Sequence, residues 1–163
     1  MDYITLAILV SFSHMLGVTT AAPLPVEAMK MKNKVKRMAE QLVVRLNLNI
    51  QVPASVTLTP PTDQLDGLSS VVALLDGYNG LISDSLNISQ VKTDISSLKG
   101  YLVQWKQVHC NDTKSRTKPS VSVPLQRLQS QRAFNLTVSI EALMRVKELL
   151  GQLLGNMDQL EKC

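Results

Sequence analysis

The sequence is poor in the residues from which catalytic and metal sites are built. Its 163 residues include two histidines, two cysteines and only 4% aromatic residues. His14 lies in an apolar N-terminal stretch, so His109 is the single imidazole of the remaining chain. A zinc site or a nucleophile activated by histidine is hard to assemble from this set. Gly77 and Gly80 lie in an amphipathic run and do not form a phosphate-binding loop. We therefore predict no enzyme activity, no metal and no cofactor.

Charge is only mildly unbalanced. Lys and Arg number 17 against 13 Asp and Glu, a formal net charge of +4. Surfaces that bind nucleic acid usually interleave basic residues with aromatic ones, and the most basic stretch, 30–37, contains no aromatic residue. We interpret this stretch as the solvated face of a helix and predict no nucleic-acid partner.

The N-terminus is typical of a secretory signal peptide. Residues 1–18 are mainly apolar, and the small residues expected before a cleavage site follow at 19–22. The stretch carries Asp2 and no Lys or Arg, so a membrane anchor is the alternative, although the apolar run is short for a membrane span. We expect a signal peptide at 1–21, cleavage before Ala22, and one secreted, extracellular domain at 22–163.

Four segments carry apolar residues at the three- or four-residue spacing of an amphipathic helix. The first is predicted at 27–48 and the second at 63–84, with Thr62 or Asp63 capping the start of the second. The third ends near Cys110, and the fourth follows a polar stretch. The predicted core positions are Met31, Val35, Met38, Leu42 and Leu46; Leu65, Leu68, Val72, Leu75, Ile82 and Leu86; Val91, Ile95, Leu98, Leu102 and Trp105; and Ile140, Leu143, Val146, Leu150, Leu153, Met157 and Leu160.

The lengths of the connections predict the topology. Long, proline-containing connections follow the first and third helices, and a few residues join the second to the third. Leu125 and Leu128 of the last long connection suggest a short helix over the bundle. A helix of 22 residues is about 33 Å long, so only the long connections can cross over to a parallel neighbour. This predicts an all-α, up-up-down-down four-helix bundle of the long-chain cytokine type with two crossover loops.

The two cysteines agree with that topology. Cys110 ends the third predicted helix and Cys163 follows the fourth, and parallel helices bring these ends together. An even number of cysteines in a secreted chain suggests a disulfide, here one between Cys110 and Cys163. Pairing between two molecules is the alternative.

Three sequons make Asn87, Asn111 and Asn135 candidate N-glycosylation sites. The motif is a weak signal alone and gains weight from the signal peptide. Asn135 lies near the predicted start of the fourth helix, which makes its use less expected.

Three segments resemble the leptin family of helical cytokines. The final 23 residues, EALMRVKELLGQLLGNMDQLEKC, resemble the family's last helix, including its terminal cysteine. TDISSLKGYL with Trp105 and Cys110 resembles the third helix, and VVRLN at 43–47 resembles the end of the first. The segment at 56–61 departs from the family's Gly-Leu-Asp-Phe-Ile-Pro-Gly loop, because it lacks the aromatic residue and the Asp. The tryptophan often present in the last helix is also absent.

The resemblance implies a secreted hormone that binds and clusters a class I cytokine receptor resembling the leptin receptor, activates Janus kinases and acts in energy balance and appetite. It implies a monomer when free. One receptor-binding surface would lie on the first and third helices, with Tyr101 as its expected hot spot. A second would combine the start of the fourth helix with the first loop. By alignment, the first surface contains Lys34, Arg37, Glu40, Gln41, Arg45, Gln90, Ser97, Gly100 and Tyr101, and the second contains Leu58, Thr137 and Val138.

Two other functions fit the same pattern. Another cytokine of the growth-hormone type would share the fold. A carrier of an apolar ligand would need an internal cavity of about 300 Å³. Each polar residue of the two surfaces also has a simpler interpretation as a solvated helix position.

Overall fold

The described part of the chain is a bundle of helices. The computed structural model describes residues 25–50, 63–110 and 121–161, and no strand occurs in these ranges. The predicted signal peptide, most of both long connections and Cys163 lie outside them. The helices are α1 (Pro25–Asn49), α2 (Leu68–Asn79), α3 (Ser89–His109), α4 (Val123–Ser130), α5 (Asn135–Gly155) and α6 (Met157–Leu160). None of them is both long and apolar enough to cross a membrane.

Helices α1 and α3 follow the sequence prediction closely. Pro25 begins α1, where a missing N–H costs nothing because the first turn has no partner for it. The buried stripe of α1 is Val35, Ala39, Leu42 and Leu46, and that of α3 is Val91, Ile95, Leu98, Leu102 and Trp105. Both stripes repeat every three or four residues, so each helix buries one face and leaves the opposite face to solvent.

Helix α2 is shorter than predicted at both ends. Gly67 has φ 140°, a conformation that an α-helix cannot include, so α2 begins at Leu68 and not at 63. Its other end is Asn79, followed by Gly80. Asp63 does not cap the helix, because its carboxylate accepts a hydrogen bond from the Tyr78 hydroxyl at 2.7 Å. Thr62, the other predicted cap, lies outside the described residues.

The turn between α2 and α3 makes these helices antiparallel. A short 3-10 turn at Asp84–Leu86 is followed by Asn87 in the left-handed conformation with φ 52°. Asn79, at the end of α2, donates a hydrogen bond to Ser96 at 3.0 Å, and Lys99 pairs with Asp76. The pairs lie progressively further from the turn on both helices, as in two helices that run in opposite directions.

Ion pairs show how α1 lies against the second half of the chain. Lys32, near the start of α1, contacts Asp158 at 2.6 Å and Glu161 at 2.8 Å, beyond the end of α5. Arg45, near the end of α1, contacts Asp94 near the start of α3 at 2.6 Å. Helix α1 is therefore antiparallel to both α3 and α5.

The register of α5 differs from the prediction at its first turns. Val138 is 3% exposed and Ile140 is 39% exposed, so Val138 lies in the core and Ile140 does not. Ser139 is fully buried beside Val138. From Ala142 onward the buried stripe continues through Leu153, and Met157 and Leu160 of α6 extend it.

Helix α4 is the short helix over the bundle that Leu125 and Leu128 predicted, and it lies against α2. Both leucines are buried, and the Ser122 hydroxyl caps the helix by accepting a hydrogen bond from the Leu125 N–H at 3.3 Å. A Cβ atom placed at Gly77 would overlap the Leu125 side chain. The absence of a side chain at Gly77 is what allows the two helices to approach so closely.

Ser139 connects α5 to the turn between α2 and α3. Its hydroxyl accepts a hydrogen bond from the Ser83 N–H at 2.8 Å, and the carbonyls of Leu81 and Asn135 lie within 3.1 Å and 2.7 Å as acceptors.

We predict that Ser139→Ala lowers the free energy of unfolding by about 1 to 3 kcal/mol, because the Ser83 N–H loses its partner. Urea denaturation would measure this. Ser97→Ala, an exposed change within α3, is the control and should lie within about 0.5 kcal/mol of the unmodified chain. An equal effect of both changes would contradict the role given to Ser139.

Candidate functional site

The residues predicted for the first surface lie together on the outer faces of α1 and α3. Because the two helices are adjacent and antiparallel, the start of α1 lies beside the second half of α3, and the end of α1 lies beside the start of α3. Tyr101 is half-buried, and the other eight side-chain positions are exposed. We call this set the α1/α3 surface: Lys34, Arg37, Glu40, Gln41, Arg45, Gln90, Ser97, Gly100 and Tyr101.

Lys34 and Tyr101 meet at one end of the α1/α3 surface. The Lys34 ammonium lies 4.1 Å from the centroid of the Tyr101 ring, within the range of a cation–π interaction. Tyr101 also packs against the hydrophobic core. The ring is thus in contact with both the core and the Lys34 ammonium, which lies over its face, and it remains partly exposed.

Arg45 and Gln90 meet at the other end through Asp94. One carboxylate oxygen of Asp94 accepts a hydrogen bond from Arg45 at 2.6 Å, and the other accepts one from Gln90 at 2.9 Å. The Arg45 side chain remains 47% exposed, whereas that of Asp94 is 26% exposed. Asp94 therefore fixes the guanidinium without covering it. Sequence reasoning did not assign Asp94 to the surface, although its position one helical turn after Gln90 was a usable signal.

The middle of the α1/α3 surface is exposed and not crowded. Arg37, Glu40, Gln41 and Ser97 are exposed. No atom outside the local helix lies within 4 Å of a Cβ built at Gly100. Because Gly100 has no side chain, a partner can approach the backbone of α3 closely beside Tyr101.

At the start of α5 the structure corrects the prediction for the second surface. Thr137 is exposed as predicted, but Val138 belongs to the core, and Leu58 lies outside the described residues. Phe134 and Leu136 are instead 70% and 57% exposed, and Ile140 is the exposed residue that was predicted to be buried. We call Phe134, Leu136, Thr137 and Ile140 the α5 surface.

The helical period explains this correction. Positions 136, 137 and 140 lie on one side of a helix, and position 138 lies on the opposite side with 142 and 145. A surface built from both Thr137 and Val138 would need side chains from opposite faces. The exposed partners of Thr137 are therefore Leu136 and Ile140.

Two of the three candidate glycosylation sites lie in the described ranges. Asn87 is exposed in the turn before α3. Asn135 is exposed at the first position of α5, and its side-chain amide donates a hydrogen bond to the Ser83 hydroxyl at 3.1 Å. Asn111 lies outside the described residues. A glycan on Asn135 would adjoin the α5 surface directly.

The groups with shifted pKa lie away from both surfaces. Burial raises the pKa of Tyr78 far above its usual value, and its hydrogen bond to Asp63 adds to the shift. Hydrogen bonds to Asp158 and Glu161 raise the pKa of Lys32. In the described ranges no three His, Cys, Asp or Glu residues are placed to hold a metal ion.

An all-helical bundle whose candidate binding residues lie on its outer faces is an architecture that helical hormones and cytokines share with other helical proteins. The chain is 41% identical over 164 residues to leptin of Tetraodon nigroviridis, and the alignment covers all of both sequences. It is also 41% identical over 152 residues to leptin of Takifugu rubripes, covering 91% of each. No family model and no solved structure matches the chain. At this identity and coverage the chain belongs to the leptin family, a family of hormones and not of enzymes, as its three segments predicted.

Proposed function

We propose that the chain is the precursor of a secreted leptin hormone that binds and clusters a class I cytokine receptor, activates Janus kinases and acts in energy balance and appetite. The proposal rests on the α1/α3 surface. There, in a chain of the leptin family, side chains of α1 form specific contacts with side chains of α3. The identity to two leptins favours this over another cytokine of the growth-hormone type.

The finer features of the fold belong to the same proposal. A signal peptide at 1–21 is removed, and the domain 22–163 acts as a monomer outside the cell. The antiparallel pairs of α1 with α3 and α5, and of α2 with α3, support the up-up-down-down order with two crossover loops. Cys110 directly follows α3, and in the sequence Cys163 comes three residues after the end of α6, which supports a disulfide between them.

In this proposal the α1/α3 surface and the α5 surface have different roles in receptor binding. The α1/α3 surface captures one receptor chain through its basic and aromatic side chains. The α5 surface then contacts a second receptor chain and completes the signalling cluster. Its apolar side chains support this role, because exposed, contiguous apolar residues commonly mark sites of protein contact.

Charge reversal on α1 tests the capture step. The double change Arg37→Glu and Arg45→Glu should slow association with the receptor extracellular region by about tenfold or more at low salt, because electrostatic steering acts on the association rate. The loss should shrink at high salt, where charges are screened. Surface plasmon resonance at two ionic strengths would measure both effects.

Two controls make this test specific. Lys147→Glu introduces the same kind of charge change at an exposed position of α5 and should leave association almost unchanged. Arg45→Glu combined with Asp94→Arg restores an ion pair between α1 and α3, so a persistent loss separates receptor contact from local stability. Unaltered association of a folded double variant would mean that Arg37 and Arg45 are only solvated.

A further inference from the structure

The last turns of α1 expose two apolar side chains that the core does not use. Val44 is 58% exposed and Leu48 is 73% exposed, although their neighbours Leu42 and Leu46 are buried. Residues four apart lie on one side of a helix, so Val44 and Leu48 form a single apolar patch. Neither residue was assigned to a surface from the sequence.

The patch is held on a regular and well-supported helix end. The Ile50 N–H donates to the Leu46 carbonyl at 2.8 Å, and the Asn49 side chain donates to the Arg45 carbonyl at 2.9 Å. Arg45 itself is fixed by Asp94 at 2.6 Å. These bonds fix the backbone that carries Val44 and Leu48, so little backbone entropy is lost when a partner binds the patch.

Polar and basic side chains adjoin the patch on α1. Arg37, Gln41 and Arg45 occupy the same exposed side of the helix, because their spacing from 44 and 48 follows the helical period. An apolar centre with a polar edge is the usual anatomy of a protein interface and of its energetic hot spots.

The charge of α1 specifies the chemistry of the partner. Within about two turns of Val44, the charged residues on this side of α1 are the basic Arg37 and Arg45 and the acidic Glu40, so the side is net basic. A partner that covers Val44 and Leu48 must also face this basic edge. Complementary potentials across an interface then require an apolar recess bordered by carboxylates.

We infer that Val44 and Leu48 form the apolar anchor of the α1/α3 surface, and that they insert into a recess of the receptor bordered by acidic side chains. This rests on the proposed function, since the occupant is the receptor chain that the α1/α3 surface captures. Arg45, held by Asp94, lies at the edge of the anchor and meets the carboxylates. The anchor determines how long the complex lasts, and the basic edge determines how fast it forms.

Truncation of the anchor tests the inference with the mature chain and the extracellular region of the receptor. Leu48→Ser and Val44→Ser should each speed dissociation by about tenfold and leave the association rate almost unchanged. Val26→Ser is the matched control, because Val26 is a 57% exposed residue near the other end of the same helix. It should change dissociation less than about twofold. Dissociation of Leu48→Ser as slow as that of Val26→Ser would overturn the inference.

Opposite charges at one position test the partner's chemistry. Leu48→Glu and Leu48→Lys remove the same apolar contact, and the acidic border predicts weaker binding for Glu than for Lys. Equal losses, or a greater loss with Lys, would overturn the acidic recess. Circular dichroism of each variant confirms that α1 is intact. If the unmodified chain does not bind the receptor, the proposed function fails and the anchor with it; if it binds and Leu48→Ser binds equally well, only the anchor fails.

Discussion

A chain that carries Leu136→Ala, Thr137→Ala and Ile140→Ala should bind one receptor chain as tightly as the unmodified hormone and yet require at least about tenfold more protein to signal. The three changes truncate three of the four side chains of the α5 surface, and they leave Phe134 and the α1/α3 surface untouched. Alanine is also the best helix former, so α5 should persist. Binding by surface plasmon resonance and Janus kinase activation in receptor-bearing cells would separate the two steps.

The structure determines which residues this experiment should leave alone. Val138 is only 3% exposed, and its replacement by Ala would cost about 1 to 3 kcal/mol of stability, which would confuse a loss of fold with a loss of signalling. Changing Thr137 also destroys the sequon of Asn135, so Asn135→Gln is needed to measure the effect of losing a glycan alone.

A second control tests whether any exposed apolar residue would give the same result. Val121 and Val123, before and at the start of α4, are 50% and 76% exposed. Their replacement by Ala should leave signalling within about twofold of normal, since they lie outside the α5 surface. Full signalling by a folded triple variant would remove the α5 surface from the mechanism.

Loss of the predicted disulfide should have the largest effect on stability. Cys110→Ser or Cys163→Ser should each lower the free energy of unfolding by about 2 to 5 kcal/mol, because each opens the same long loop. The double variant should cost no more than either single one, since the second change has no bond left to break. Chemical denaturation of the three variants would measure these costs.

The same bond has a chemical test. Mass spectrometry of unreduced peptides should find Cys110 joined to Cys163 within one molecule. Two unmodified thiols would contradict the prediction, as would a covalent dimer, which is the alternative that the sequence leaves open.

Helices with uninterrupted stripes could be predicted from the sequence. In α1 and α3 every buried position repeats at the helical spacing, and no buried polar residue interrupts the pattern. The buried face at the start of α5 could not be predicted in this way. There Ser139 is fully buried and Ile140 is 39% exposed, so a pattern based on hydrophobicity selects the wrong face. Ser139 is tolerated in the core because its hydroxyl bonds the Ser83 N–H.

The first and last residues of α2 and the contacts between helices could not be predicted from the sequence and are known only from the structure. Gly67 could have been an ordinary interior glycine, and only its φ of 140° shows that it excludes the helix. The individual residues of the α1/α3 surface followed from alignment. The pairing of Lys34 with Tyr101 and of Arg45 with Asp94 depends on how far one helix is shifted along the other, which side-chain spacing within one helix does not determine.

The space between α2 and α4 beside Gly77 is filled by the Leu125 side chain. This limits which residues can replace Gly77 and Leu125 in other members of the family. A side chain at 77 would occupy the space that the Leu125 methyl groups now fill. A larger residue at 77 therefore requires either that the Leu125 side chain shift or that a smaller residue stand at 125, because the space would otherwise be overpacked. The two positions are expected to evolve as a linked pair, although they lie 48 positions apart along the chain.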